Sequence, residues 1–175
     1  MKKTVFVAFA IMLTNFLPVL LLAQSKNSLE TQITNTESQC DTLIAKMKIS
    51  NHEVLSLKPE YQNLKRFYKQ NKKNPEMQDS LLERFSVYNQ KLSRVTQTYT
   101  AIVYDYNESS FTINHITRKF GVTDSVSMSL LIAYEKLKIS SDFLDEEFKT
   151  FRKYGSRLDP MKSAFGALER RFAKL

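Results

Sequence analysis

Glycine is nearly missing from this chain: three in 175 residues, at positions 121, 155 and 166. Tight turns, bulges and phosphate-cradling loops draw on the backbone freedom that glycine supplies. Its absence before Gly121 argues for long helices and against a glycine-rich nucleotide site. Cysteine occurs once, as Cys40, so no disulfide can form within the chain. In an oxidising compartment a lone cysteine is either buried and inert or paired with another chain. Cys40 falls on an apolar stripe, and burial is the reading taken. The two histidines, His52 and His115, have no cysteine or histidine at ligand spacing, which gives a zinc site no support. No HExxH, GxSxG, P-loop or EF-hand pattern is present. Asp145, Glu146 and Glu147 are adjacent in sequence, and adjacent helical positions point apart, so they read as a solvated face. The expectation is a protein that is not an enzyme, with no cofactor, no metal and no small-molecule substrate indicated.

The start of the chain is the most informative stretch. Lys2 and Lys3 precede a nearly unbroken apolar run from Val5 to Leu22, and Ala23 stands before Gln24. That is the layout of a secretory signal peptide over residues 1–23. The run also suits an uncleaved N-terminal anchor, since roughly 17–25 apolar residues span a bilayer. Either reading puts residues 24–175, one helical domain, outside the cytoplasm, most simply in a bacterial periplasm or cell envelope. The chain is membrane-anchored if the signal stays.

Apolar residues then recur at alternating steps of four and three, the signature of a helix face. One seam reads Leu29, Ile33, Thr36, Cys40, Leu43, Met47 and continues in phase to Tyr68. Pro59 interrupts it, so a first helix is expected from about Ser28 to Ser50, followed by a shorter helix or a kinked continuation to about Lys69. A second seam runs from Leu81 through Phe85, Tyr88, Leu92, Val95, Tyr99, Ile102 and Tyr106 to Phe120. Asn74-Pro75-Glu76 provides a start and Gly121 a stop. A strand pair competes here, because Thr96, Thr98, Thr100, Ile102 and Tyr104 alternate and Asn107 to Ser110 could turn. The seam crosses this region without losing phase, which favours helix. Thr123 and Asp124 can cap a third long helix ending at Gly155, and Asp159-Pro160 opens a last short one. The fold expected is all-α: an antiparallel helical bundle or extended coiled-coil hairpin of three long helices plus one or two short ones.

Charge is unevenly spread. Lys58, Lys65, Arg66, Lys69, Lys72 and Lys73 lie in one stretch with Glu60 as its only acid. Lys149 to Lys174 carries eight bases against Asp159 and Glu169. With Arg170, Arg171 and the off-seam Tyr104, the first cluster forms the candidate contact surface. Outside the cytoplasm, nucleic acid is an unlikely partner. Protein of the cell envelope, a second copy of the chain, or anionic lipid or glycan come first.

Asn107-Glu108-Ser109 matches a glycosylation acceptor, which a bacterial-type leader leaves unused. Tyr99, Val103, Asp105, Tyr106 and Asn107, with Phe120-Gly121, resemble about 25 residues of the LemA family of envelope-associated helical bundles. That family's Arg-rich earlier helix has no counterpart here, and the long helix after Gly121 does not fit its C-terminus. The resemblance implies no more than an extracytoplasmic helical bundle. The function expected is a structural or adaptor component of a cell-envelope assembly, acting through protein–protein contacts. The alternative is a periplasmic binding module or holdase chaperone with basic, aromatic helix surfaces.

Overall fold

A computed structural model describes the backbone of residues 2–123 and 126–174, and the side chains of 28–123 and 126–174. The chain is all-α. Helix α1 spans Lys2–Asn71, a 3-10 turn covers Pro75–Met77, and α2 spans Gln78–Gly121. Helix α3 spans Met128–Gly155 and α4 Leu158–Phe172, and no strand occurs among the described residues. At 1.5 Å per residue, the 44 residues of α2 extend about 66 Å. No helix among the described residues is long and apolar enough to cross a membrane. The leader read at residues 1–23 lies outside the residues whose side chains are described.

The seam predicted for α1 is the seam that is buried. Ile33, Cys40, Met47, Val54 and Leu57 are almost wholly excluded from solvent. Pro59 does not end the helix, contrary to the expected stop near Ser50; of the two forms foreseen beyond it, continuation is the one found. An internal proline forfeits one backbone hydrogen bond and costs about 3 kcal/mol. Burying Val54, Leu57, Leu64 and Tyr68 on either side offsets this, since each large apolar side chain contributes about 1.5–3 kcal/mol. The carbonyl that loses its partner belongs to Leu55, an exposed residue.

The strand alternative for residues 96–113 is overturned: α2 runs unbroken through Asn107 to Ser110. Its threonines bond their own helix. Thr96 donates to the Leu92 carbonyl (2.8 Å), Thr100 to Thr96 (3.1 Å) and Thr112 to Glu108 (3.0 Å). These hydroxyls are satisfied without a neighbouring strand. Asn74 caps as expected, its Oδ1 accepting from the Glu76 N–H at 3.2 Å, but it opens the 3-10 turn ahead of α2. Gly121 is the last residue of α2 and has no positive φ, so it ends the helix without a left-handed cap. Ser127, not Thr123, caps α3, accepting from the Leu130 N–H at 3.2 Å. Thr123 instead donates to the Lys119 carbonyl at 2.9 Å. The proposed cap Asp124 lies outside the described residues.

Side-chain pairs give the directions. From α1 to α2, Lys46 meets Asp105 (3.2 Å), Glu53 meets Arg94 (3.0 Å) and Glu60 meets Lys91, so α2 returns along α1. From α1 to α3, Glu30 accepts from Ser129 (3.3 Å) and Asn51 donates to Glu147 (3.1 Å), so α3 runs with α1. Where α3 ends, α4 takes over its course: Tyr61 donates to the Ala164 carbonyl at 3.0 Å. Helices α3 and α4 thus act as one interrupted rod beside α1 and α2.

Two clusters form the core. One joins Leu29–Met47 of α1 to Ile102 and Ile116 of α2 and to Leu130, Leu137, Leu144 and Phe151 of α3. The other joins Val54–Tyr68 of α1 to Leu81–Val95 of α2 and to Leu158, Phe165 and Leu168 of α4. Tyr99 packs against both. Cys40 is fully buried, and burial, with Asp41 nearby, pushes its thiol up to about 11. An ionised, nucleophilic cysteine is excluded at ordinary pH.

Candidate interaction surface

Aromatic side chains draw the two basic stretches to one end of the molecule. Phe85 of α2 stacks on Phe172 of α4 (4.9 Å between centroids) and lies edge-on to Tyr68 of α1 (6.1 Å). Phe165 of α4 packs on Tyr88 at 5.1 Å, and Tyr88 lies 6.0 Å from Tyr61. The Tyr88 hydroxyl is buried and donates to the Leu57 carbonyl at 3.3 Å; burial pushes its pKa up to about 12. Ring pairs of this kind contribute about 0.5–1.5 kcal/mol beyond their buried area. They hold three chain segments at a common end: the last turns of α1, the first of α2, and all of α4.

That end is basic. Residues 58–94 and 157–174 together hold 14 Lys and Arg against 6 Asp and Glu. Lys58, Lys65, Arg66, Lys69, Lys72, Lys73, Arg170 and Arg171 are all exposed. Among the described residues, no carboxylate lies within ion-pair distance of any of them. Arg66 donates to the neutral Asn63 Oδ1 at 2.7 Å. Arg84, which sequence reading passed over, lies over the Phe67 ring at 4.0 Å and adds a cation held on an aromatic face. Lys91 and Arg94 are the bases there that are spent on α1 carboxylates.

Tyr104 does not join this surface. It projects from the middle of α2, 62% exposed, and its hydroxyl donates to Glu108 one turn on, at 2.7 Å. The structure brings the eight cationic candidates to one end and leaves Tyr104 in the other half, level with Lys46 of α1 through its neighbour Asp105.

A second feature escaped the sequence reading. Met128, Ile132, Ile139 and Phe143 of α3 are exposed. Their spacing of four, seven and four places them on one helix face, away from the buried Leu130, Leu137 and Leu144. Phe143 borders a groove shared with Asp41, Ile44 and Lys48 of α1. A second apolar series offset from the core seam was the signal available. Between α1 and α2 a groove of about 430 Å³ is lined by Ser38, Thr42, Lys46, Asp105 and Glu108. Its one acid–base pair is already joined as Lys46–Asp105. No group of three or more His, Cys, Asp or Glu among the described residues could hold a metal ion.

The chain matches no protein-family profile, no curated protein and no solved structure. The local likeness to LemA proteins therefore carries nothing further, and the functional reading rests on the surface itself.

Proposed function

We propose that this protein is a non-enzymatic, exported helical component of a cell-envelope assembly, folded as an antiparallel bundle, that joins other proteins through its basic end. The observation carrying this reading is the cluster of exposed, unpaired cations at the junction of α1, α2 and α4. Such a surface attracts acidic partners at long range and orients them on approach. The apolar face of α3 supports it as a second place of contact, since apolar side chains grouped on one face commonly mark interaction sites. The leader-like N-terminus supports export, as an anchor or a cleaved signal. Photo-crosslinking from the basic end in intact envelopes tests the proposal. A discrete acidic protein adduct, lost when Lys65, Lys69, Arg170 and Arg171 are reversed to Glu, supports it. No protein adduct refutes it.

A second reading is favoured by Arg84 over Phe67 and the aromatic knot beneath the bases. In this reading the same end holds unfolded or acidic clients as a holdase. Client aggregation would then be suppressed at low salt and less so at high salt. No suppression at low salt removes this reading.

A further inference from the structure

At the basic end, α1, α2 and α4 meet along three outer seams, and the charges of these seams differ. Between α1 and α2, Glu53 pairs with Arg94 at 3.0 Å and Glu60 with Lys91. Between α2 and α4, one groove holds both Lys162 and Glu169 beside the neutral Asn89 and Gln97. Lys162 also pairs with Asp159 of its own helix at 3.5 Å. The seam between α1 and α4 carries bases alone.

Its composition follows from one hydrogen bond. Tyr61 donates to the Ala164 carbonyl at 3.0 Å, which fixes the side of each helix that faces the other. At 3.6 residues per turn, Lys58, Lys65 and Lys69 lie about 40–80° round α1 from Tyr61 in one direction. Glu60, Asn63 and Phe67 lie about 100–160° round in the other direction, where they border α2. All of these positions fall within α1, which ends at Asn71. On α4, Arg171 follows Ala164 by seven residues and so lies within about 20° of it. Asp159 and Glu169 lie about 140° away from Ala164, off this seam. Three lysines and an arginine, all exposed, thus share the seam, and neither helix places a carboxylate on it. Gln62 is its neutral polar residue, and Ala164 and Ala167 are small and half-buried.

The geometry points to an acidic helix of a partner protein as the occupant of this seam. The inference rests on the reading that the basic end joins another protein, and adds where the partner lies and what shape it has. From Lys58 to Lys69 the seam runs about 16 Å along α1. The lysines follow at steps of seven and four. Those steps return to one face of any helix, so an incoming helix with carboxylates at the same steps meets the three lysines in turn. Ala164 and Ala167 leave room for its backbone to approach α4, and Arg171 stands at the end of the row. The added helix would lie as a fourth rod beside α1, α2 and α4. Two other bases point elsewhere. Arg66 donates to Asn63 on the α2 side of α1, and Arg170 reaches towards Gly166 in the α2–α4 groove.

Fluorescence anisotropy tests it, on the full chain as purified from the cells that make it. The probe is a labelled, alanine-based helical peptide of about 20 residues with glutamates at steps of seven and four. The parent is expected to bind it at about 50 mM salt. Lys65→Glu with Lys69→Glu should raise the dissociation constant at least about tenfold. Arg66→Glu with Arg170→Glu changes the charge of the same end by the same amount and should raise it less than about threefold. The same peptide composition with its glutamates spread round the helix should bind at least about tenfold more weakly. Circular dichroism checks that each variant keeps the parent's helix content. Should the seam reversal unfold the chain, Lys65→Gln with Lys69→Gln gives the same readout as a smaller loss. The inference is overturned if the parent does not bind the peptide, if the two reversals cost the same, or if the spread peptide binds equally well. Tighter binding to phosphatidylglycerol vesicles, with the same loss on seam reversal, also overturns it. In each of those cases the adaptor reading stands if crosslinking in envelopes still gives a protein adduct from the basic end. Loss of that adduct removes both.

Discussion

The ring of Tyr99 lies directly against the backbone of Gly155. A Cβ at Gly155 would stand 2.0 Å from the ring's Cε2, far inside the closest approach of non-bonded carbons, so the ring would have to move. Tyr99 also stacks on Phe151, one turn earlier in α3, at 4.6 Å. The contact sits where α3 gives way to α4 and where the two core clusters meet. Gly155 is thus needed for close approach, since no positive φ requires glycine there.

Gly155→Ala should destabilise the fold by about 1–3 kcal/mol, the range for overpacking a filled site. Thermal or urea unfolding measures it. Tyr99→Leu in the same chain should recover part of that loss. A double-mutant cycle with no coupling would show that the ring and the glycine do not share one site.

Pro59→Ala should stabilise the protein, by about 2 kcal/mol. It restores the backbone donor missing inside α1, while the unfolded chain regains some of the freedom that proline removes. Urea midpoints of the two chains decide it. An unchanged or lowered midpoint would mean that α1 is shaped to need proline at this position.

Ser50 offers a similar gain. Its hydroxyl is fully buried with no hydrogen-bond partner among the described residues. An unsatisfied buried polar group costs about 1–3 kcal/mol. Ser50→Ala should therefore raise stability by about 1 kcal/mol, read from the same unfolding curves. A loss of stability would point to a partner for that hydroxyl.

Alkaline pH should weaken the fold. Burial raises the folded pKa of Cys40 from 9.0 to about 11 and of Tyr88 from 10.0 to about 12. Above its ordinary pKa each group ionises in the unfolded chain while the folded chain keeps the proton. The unfolded state then binds fewer protons, and stability falls as pH rises. The contribution is fully present below pH 9 and is lost progressively between pH 9 and 12. Cys40→Ala should flatten the lower part of that decline, measured by urea unfolding at stepped pH. The native thiol should also resist alkylation at pH 8 until the chain is unfolded. Rapid labelling of the native protein would contradict its burial.

Much of this core was legible in the four-three spacing. The seam from Leu81 to Phe120, on which Ile116 also falls, is buried at Leu81, Phe85, Tyr88, Leu92, Val95, Ile102 and Ile116. Spacing reveals an inward face because burial selects it directly. It does not reveal which helix lies opposite, so the parallel course of α1 and α3 emerges only from pairs such as Glu30–Ser129 and Asn51–Glu147. Pro59 misled because its local cost is visible in sequence, while the packing that outweighs it is tertiary. Ser127 does not stand out in the sequence as the α3 cap because Thr123 offers an equivalent hydroxyl a few residues earlier. The basic clusters were legible as composition. Their convergence was not, because it depends on Phe85 meeting Phe172 across distant parts of the chain. Tyr104 shows the converse: being off the seam correctly marks exposure, but exposure alone does not place a residue with the bases.

The central claim is that the basic end joins this protein to another protein of the envelope. A photo-crosslinking residue placed at Arg171, with one at Tyr104 as the comparison, tests it in intact envelopes. The account predicts a discrete adduct with a different, acidic protein from position 171, diminished by salt and weak or missing from position 104. Equal adducts from both positions, or none from position 171, would contradict it.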